Sequence, residues 1–141
     1  MIPLTFQKSA ELPQGSRVIS EKTSKQMRLM MEAVTEPGGT ATQARIAGYR
    51  VAGKTGTAHK LEGGRYVNKY VGDFVGFAPV SNPRVIVAVM IDEPSSGGYY
   101  GGTVAAPVFA AITANVLRSL NVPPDSSVTS IIPDTSVQES M

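Results

Sequence analysis

Lys54, Thr55 and Thr57, spaced by glycines in Val51-Ala52-Gly53-Lys54-Thr55-Gly56-Thr57-Ala58, are the residues of this chain best suited to chemistry. One ammonium and two hydroxyls can bind an anion, and the glycine between them lets a ligand lie against the backbone. Two unrelated kinds of site use these letters. Gly48 to Thr55 satisfies the G-x-x-x-x-G-K-[ST] phosphate-loop pattern, with Val89-Met90-Ile91-Asp92 as an apolar strand ending in a magnesium-binding Asp, which reads as a nucleotide hydrolase. That pattern works only when a strand precedes it and a helix starts at its Lys-Thr, so that N–H groups cradle the phosphates. Neither flank fits: Thr40 to Tyr49 is not an apolar strand, and Gly56, Gly63 and Gly64 in a polar run leave no room for a helix. The alternative is a β-strand, on which Lys54 carries a fixed positive charge and Thr55 a hydroxyl.

His59, the only histidine, directly follows the motif and invites a general-base role. No carboxylate lies near it in sequence to orient it, so it reads as a surface or cleft-rim residue. Strict alternation puts Lys54 and Thr55 on opposite faces of an ideal strand, and only the freedom of an edge strand would bring both to one site.

The flanking sequence must position this strand. Ser20 can cap a helix whose Met27, Met30, Met31 and Val34 share one face, and Pro37-Gly38-Gly39 would end it; the methionines read as core. Arg50 to Ala58, Tyr70 to Ala78 and Arg84 to Asp92 read as a three-strand meander, joined by a hairpin loop over His59 to Lys69 and a tight turn at Pro79 to Pro83. Val85 to Ile91 is apolar on both faces and should lie inside the sheet, covered by helices; the first strand reads as an edge. A loop ending in Gly98-Tyr99-Tyr100-Gly101-Gly102 leads to a second helix, capped by Thr103, with Pro107 in its first turn and a stripe of Phe109, Ile112, Val116 and Leu120. Residues 1–17 read as a segment leading in from a larger domain, 18–122 as the folded part, and 123–141, rich in Ser and Thr, as a disordered tail. Two helices on an antiparallel meander of about three strands make an α+β unit.

Composition narrows the function further. With 42% hydrophobic residues in 141, the chain can build one modest core. The absence of cysteine and the single histidine exclude disulfides and thiolate chemistry and argue against any metal site; no cofactor is expected. Its apolar stretches are shorter than a membrane span, and Met1 to Thr5 lacks the features of a secretory signal, so any export would be directed from outside this chain. Net charge is +2, with nine bases against five acids in residues 1–62 and four against six thereafter. From Arg45 to Lys69 six bases face one acid, Glu62. An anionic ligand suits that strip, but no aromatics interleave with the bases as stacking platforms and no nucleic-acid module appears, so nucleic acid is not expected.

Together, Glu36-Pro37-Gly38-Gly39-Thr40-Ala41, the Gly53-Lys54-Thr55-Gly56-Thr57-Ala58 strand, the meander and the Gly-Tyr-Tyr-Gly-Gly loop resemble the C-terminal part of penicillin-binding transpeptidases, over roughly Ser16 to Pro124. The likeness is to the division-specific, monofunctional class B type called penicillin-binding protein 3. It implies a serine β-lactamase/transpeptidase-like fold and acyl transfer from D-alanyl-D-alanine stem peptides during septal cell-wall synthesis. Lys54 and the Thr57 backbone N–H, as half of an oxyanion hole, would be catalytic; Thr55 and Gly56 would bind substrate, with Tyr99 and Tyr100 as an aromatic wall. It further implies a periplasmic parent held by a membrane anchor, with stem peptides, β-lactams and division proteins as partners. Such an enzyme also needs S-x-x-K, which supplies its nucleophile, and S-x-N. No serine here has Lys three residues later, while Ser119-Leu120-Asn121 and the tyrosine variant Tyr66-Val67-Asn68 come after Lys54, out of the family's order. The chain should therefore be inactive without the N-terminal part of the domain, and reads as a C-terminal fragment of it, with Met1 either a genuine start or a truncation. The alternative is a noncatalytic binding module.

Overall fold

The computed structural model describes residues 15–127. Its sheet is a three-stranded antiparallel meander in the order β1 (Ala52–Glu62), β2 (Arg65–Ala78), β3 (Val85–Asp92). Helix α1 (Glu21–Glu32) precedes it, and α2 (Gly101–Val104) and α3 (Ala106–Ser119) follow. This is the expected α+β arrangement.

Registers pair Lys54 with Val75, Gly56 with Asp73 and Phe74 with Val89. Side chains at directly opposed positions share a face, so alternation divides the sheet into two faces. One face carries Phe74 and Val89 and is closed by α3, whose Phe109 meets Phe74 edge to face at 4.8 Å between ring centres. Such a pair adds about 0.5–1.5 kcal/mol to the burial of its rings. Gly76 makes the contact possible, since a Cβ there would lie 2.8 Å from the Phe74 ring and 2.9 Å from that of Phe109.

Several expectations shift. The first hairpin has a two-residue turn, Gly63-Gly64, both at positive φ as such turns favour, so 59–62 and 65–69 are strand, not loop. The last helix breaks at Ala105, and its buried residues are Ala106, Phe109, Thr113 and Leu117; Ile112 and Leu120, expected on the stripe, are exposed. The helix meets the sheet one position round from the most apolar stripe, burying the Thr113 hydroxyl instead. In α1, the Ser20 hydroxyl accepts from the Thr23 N–H at 3.0 Å as a cap should, but the helix ends at Glu32, ahead of Pro37, and buries no residue. Met27 and Met30 are 45% and 59% exposed rather than core. The helix is held from its other side, where the Arg50 guanidinium donates to both Glu32 oxygens at 2.6 Å; this hydrogen bonding raises the Arg50 pKa.

Among the described residues β3 is an edge strand and not an interior one. Its second face lies open, with Ile86 75% and Met90 71% exposed, beside the exposed Val75 of β2. Residues 123–127, placed in the tail by composition, are tied down: the Asp125 carboxylate accepts from the Arg50 and Ser81 N–H groups at 2.8 and 3.1 Å, and the Ser126 N–H donates to the Gly48 carbonyl. The rest of the tail, 128–141, and most of the opening segment, 1–14, lie outside the described residues.

An apolar sheet face of this kind seeks a cover. The isolated 141-residue chain is expected to be poorly soluble or partly molten, to bind a hydrophobic dye and to melt without a sharp transition, and the pair Ile86→Lys, Met90→Lys should lower dye binding. A cooperative calorimetric transition of the unaltered chain would contradict this.

Candidate functional site

β1 places its two threonines on the helix-bearing face. Thr55 Oγ1 lies 3.2 Å from Thr40 Oγ1, and Thr57 Oγ1 accepts from the Gly101 N–H at 3.3 Å. The segment that covers them reaches the sheet backbone because it lacks side chains. A Cβ on Gly101 would collide with the Asp73 and Gly56 carbonyls, and one on Gly102 with the Thr40 carbonyl. From the sheet side, a Cβ on Gly72 would stand 2.8 Å from the Tyr99 carbonyl.

Lys54 points from the opposite face, as alternation requires. It is exposed, and its Nζ turns back to donate to the Thr55 carbonyl at 2.7 Å. The ammonium thus reaches its own strand's backbone while the hydroxyls occupy the other side. Gly56 lies between them, directly opposite Asp73.

A row of rings borders the threonines. Tyr70 stacks on Tyr99 with ring centres 3.9 Å apart and planes 11° from parallel, His59 lies 4.4 Å on from Tyr70, and Tyr100 sits 4.6 Å from Tyr99. The Tyr99 and Tyr100 hydroxyls are hydrogen-bonded at 3.4 Å, and this pairing raises the Tyr100 pKa. Tyr99 is half-buried and Tyr100 60% exposed, so the pair divides into an anchor and a free ring. His59 sits at the rim with Nδ1 3.1 Å from the Val67 carbonyl and no carboxylate partner among the described residues. Tyr70 belongs to no motif, and Thr40, within the Glu36 to Ala41 segment, has no role of its own in the sequence reading; register and chain return bring both here.

Three of the six bases of the strip, Arg50, Lys60 and Lys69, are held in ion pairs. Lys60 Nζ contacts Asp92 at 2.9 Å and Glu93 at 2.7 Å, and Lys69 contacts Glu62 at 2.8 Å. Hydrogen bonding to Glu93 first, then to Asp92, raises the Lys60 pKa, and the same bond lowers that of Glu93. With Arg50 held by Glu32, Lys54 has no carboxylate partner among the described residues.

The phosphate-loop geometry is absent, since Lys54 and Thr55 lie inside β1 and no helix starts there. Residues 2–114 match the family described as "Penicillin binding protein transpeptidase domain". The chain belongs to that family. Among relatives of this transpeptidase family, it is 54% identical over 125 residues to a probable peptidoglycan D,D-transpeptidase PenA of Neisseria flavescens, covering 88% of this chain and 31% of the relative. It is 47% identical over 128 residues to the peptidoglycan D,D-transpeptidase FtsI of Escherichia coli (strain K12), covering 90% and 22%. The solved transpeptidase domain of Burkholderia pseudomallei penicillin-binding protein 3 superposes with a TM-score of 0.76 at 49% identity, covering 86% of this chain and 37% of that one. The chain thus spans between about a fifth and two fifths of the proteins it matches.

Gly102→Ala should destabilise the fold by about 2 kcal/mol or more, as overpacking against backbone does, read from denaturant midpoints of the protein that carries this segment. Acid should loosen the loop after β3. Glu93 has a lowered folded-state pKa, so its tie to Lys60 is complete above the ordinary carboxylate range and is lost as pH falls through the lowered value. Amide exchange at Ser95 to Gly98 should therefore quicken, beyond the intrinsic pH trend, only in acid; equal protection at neutral and acid pH would oppose this.

Proposed function

We propose that this chain supplies the Lys-Thr-Gly wall of a peptidoglycan D,D-transpeptidase of septal cell-wall synthesis, acting on D-alanyl-D-alanine stem peptides and inactivated by β-lactams. The observation that carries the reading is the placement of Thr55 and Thr57 on one face of β1, beneath the glycine segment Gly101-Gly102, with Lys54 on the same strand and without a carboxylate partner among the described residues. The names of the relatives support the reaction class.

In this reading a serine hydroxyl, from an S-x-x-K that these 141 residues do not contain, attacks the penultimate D-alanine carbonyl. The serine proton passes to a base and then to the departing D-alanine amine; an acceptor amine later attacks the acyl-serine and releases the serine. The Thr57 N–H would bind the carbonyl oxygen as negative charge develops, Thr55 and Lys54 would hold the terminal carboxylate, and Gly56 would let the substrate lie on the strand. Tyr100, exposed beside anchored Tyr99, would form the cleft wall. The complete enzyme would work at the periplasmic side of the inner membrane beside division proteins; among the described residues no helix is long and apolar enough to cross a membrane.

The open face of Ile86 and Met90 favours a second reading, a noncatalytic module that binds a separately made N-terminal half. The full-length protein containing this segment should be labelled covalently by a fluorescent penicillin, Lys54→Ala should slow labelling at least tenfold, and the 141-residue chain alone should take up none. Full labelling of Lys54→Ala would overturn the assignment. Restored labelling when the two halves are mixed, with no single reading frame joining them, would establish the second reading.

A further inference from the structure

Asp73 is the single acid of the central strand β2, and nothing in the reaction above uses it. It lies on central strand β2, directly opposite Gly56. A Cβ built on Gly56 would stand 3.2 Å from Asp73 Oδ2 and 3.3 Å from its Cβ, so the carboxylate occupies the space left by the motif's missing side chain. Asp73 Oδ1 is fully buried without a hydrogen-bond partner among the described residues. An unpartnered buried carboxylate oxygen is costly to maintain and attracts any cation within reach. The cation on the same face is Lys54, whose partner in the register is Val75, the residue two along from Asp73. Diagonal neighbours of this kind sit with Cβ atoms about 7 Å apart, within the span of a lysine side chain. Lys60, further along β1, is already held by Asp92 and Glu93.

We infer that Asp73 is a specificity-determining residue that competes with the substrate carboxylate for the Lys54 ammonium and so weakens capture of anionic ligands. The inference rests on the transpeptidase reading of this wall. Both effects of the carboxylate have the same sign. It draws Lys54 toward the face away from the threonines, and it sets a negative charge behind the glycine against which an anionic ligand lies. Penicillins and stem peptides carry the carboxylate that would feel this; their esters do not.

The test uses the full-length protein, unaltered and as Asp73→Asn, acylated by penicillin G and by its methyl ester at low and high salt. Asp73→Asn should raise the second-order acylation constant for penicillin G by about three- to tenfold at low ionic strength, through tighter binding and not through a faster acylation step. In about 1 M salt, where charges are screened beyond a few ångströms, the gain should largely vanish. The ester should show no gain. Asp73→Thr, which keeps a strand-forming residue, should reproduce the gain if the asparagine variant folds poorly. An unchanged or lowered constant for penicillin G in both variants, or an equal gain with the ester, would overturn the inference. Failure of the unaltered protein to react with either compound would overturn the transpeptidase reading and this inference with it.

Discussion

Close backbone contact between the Tyr99–Gly102 segment and the sheet is the constraint on which the site depends. Gly72, Gly101 and Gly102 each stand where a Cβ would meet backbone of the neighbouring element. That approach lets the Gly101 N–H reach the Thr57 hydroxyl and brings Thr40 and Thr55 together. It also begins α2 directly at the cleft, so the helices that close the apolar face are aligned by the contact that shapes the polar site. Side chains placed there would force the helices outward and separate the threonines from their cover.

Electrostatics completes the arrangement. The bases of the Arg45 to Lys69 stretch look like one field in the linear chain, yet folding spends Arg50, Lys60 and Lys69 on Glu32, Asp92, Glu93 and Glu62. These ties are mostly exposed, and pairs of that kind contribute little to stability. Their effect is selective: they engage three of the strip's six bases, while Lys54, on the face opposite the threonines, keeps no carboxylate partner among the described residues. Asp73 then stands as the local counterweight to that single charge.

The architecture was legible because its signals are local. Alternation and turn residues mark a three-strand meander, Ser20 marks the start of a helix, and Lys54-Thr55-Gly56 reads as strand because its flanks reject a helix. Alternation also foretold that Lys54 and Thr55 would face apart, and they do. What the sequence did not disclose depends on partners distant along the chain. The methionine face of α1 looks like core in isolation, but the helix docks through Glu32 and Arg50. β3 is apolar enough for an interior strand, yet among the described residues it pairs only with β2. Asp125 sits in a stretch composed like a tail and is nevertheless held by Arg50 and Ser81. Tyr70 carries no motif, and only pairing to β1 and the return of the chain after β3 set it against Tyr99.

The hairpin has one further consequence. β2 pairs with β3 only over Val71 to Ala78, so β1 and β2 continue beyond the sheet as a ribbon of two strands. A free two-stranded ribbon is marginally stable in water. Near its base the ring stack of Tyr70 on Tyr99 and the Lys60 ties fasten it to the loop after β3, while its Gly63-Gly64 tip lies beyond them. Local opening should therefore spread inward from the tip and halt at Tyr70, making the ribbon a cooperative unit distinct from the core sheet. The rim of the cleft can then fluctuate while Lys54 and Thr55, on the fully paired part of β1, hold their register.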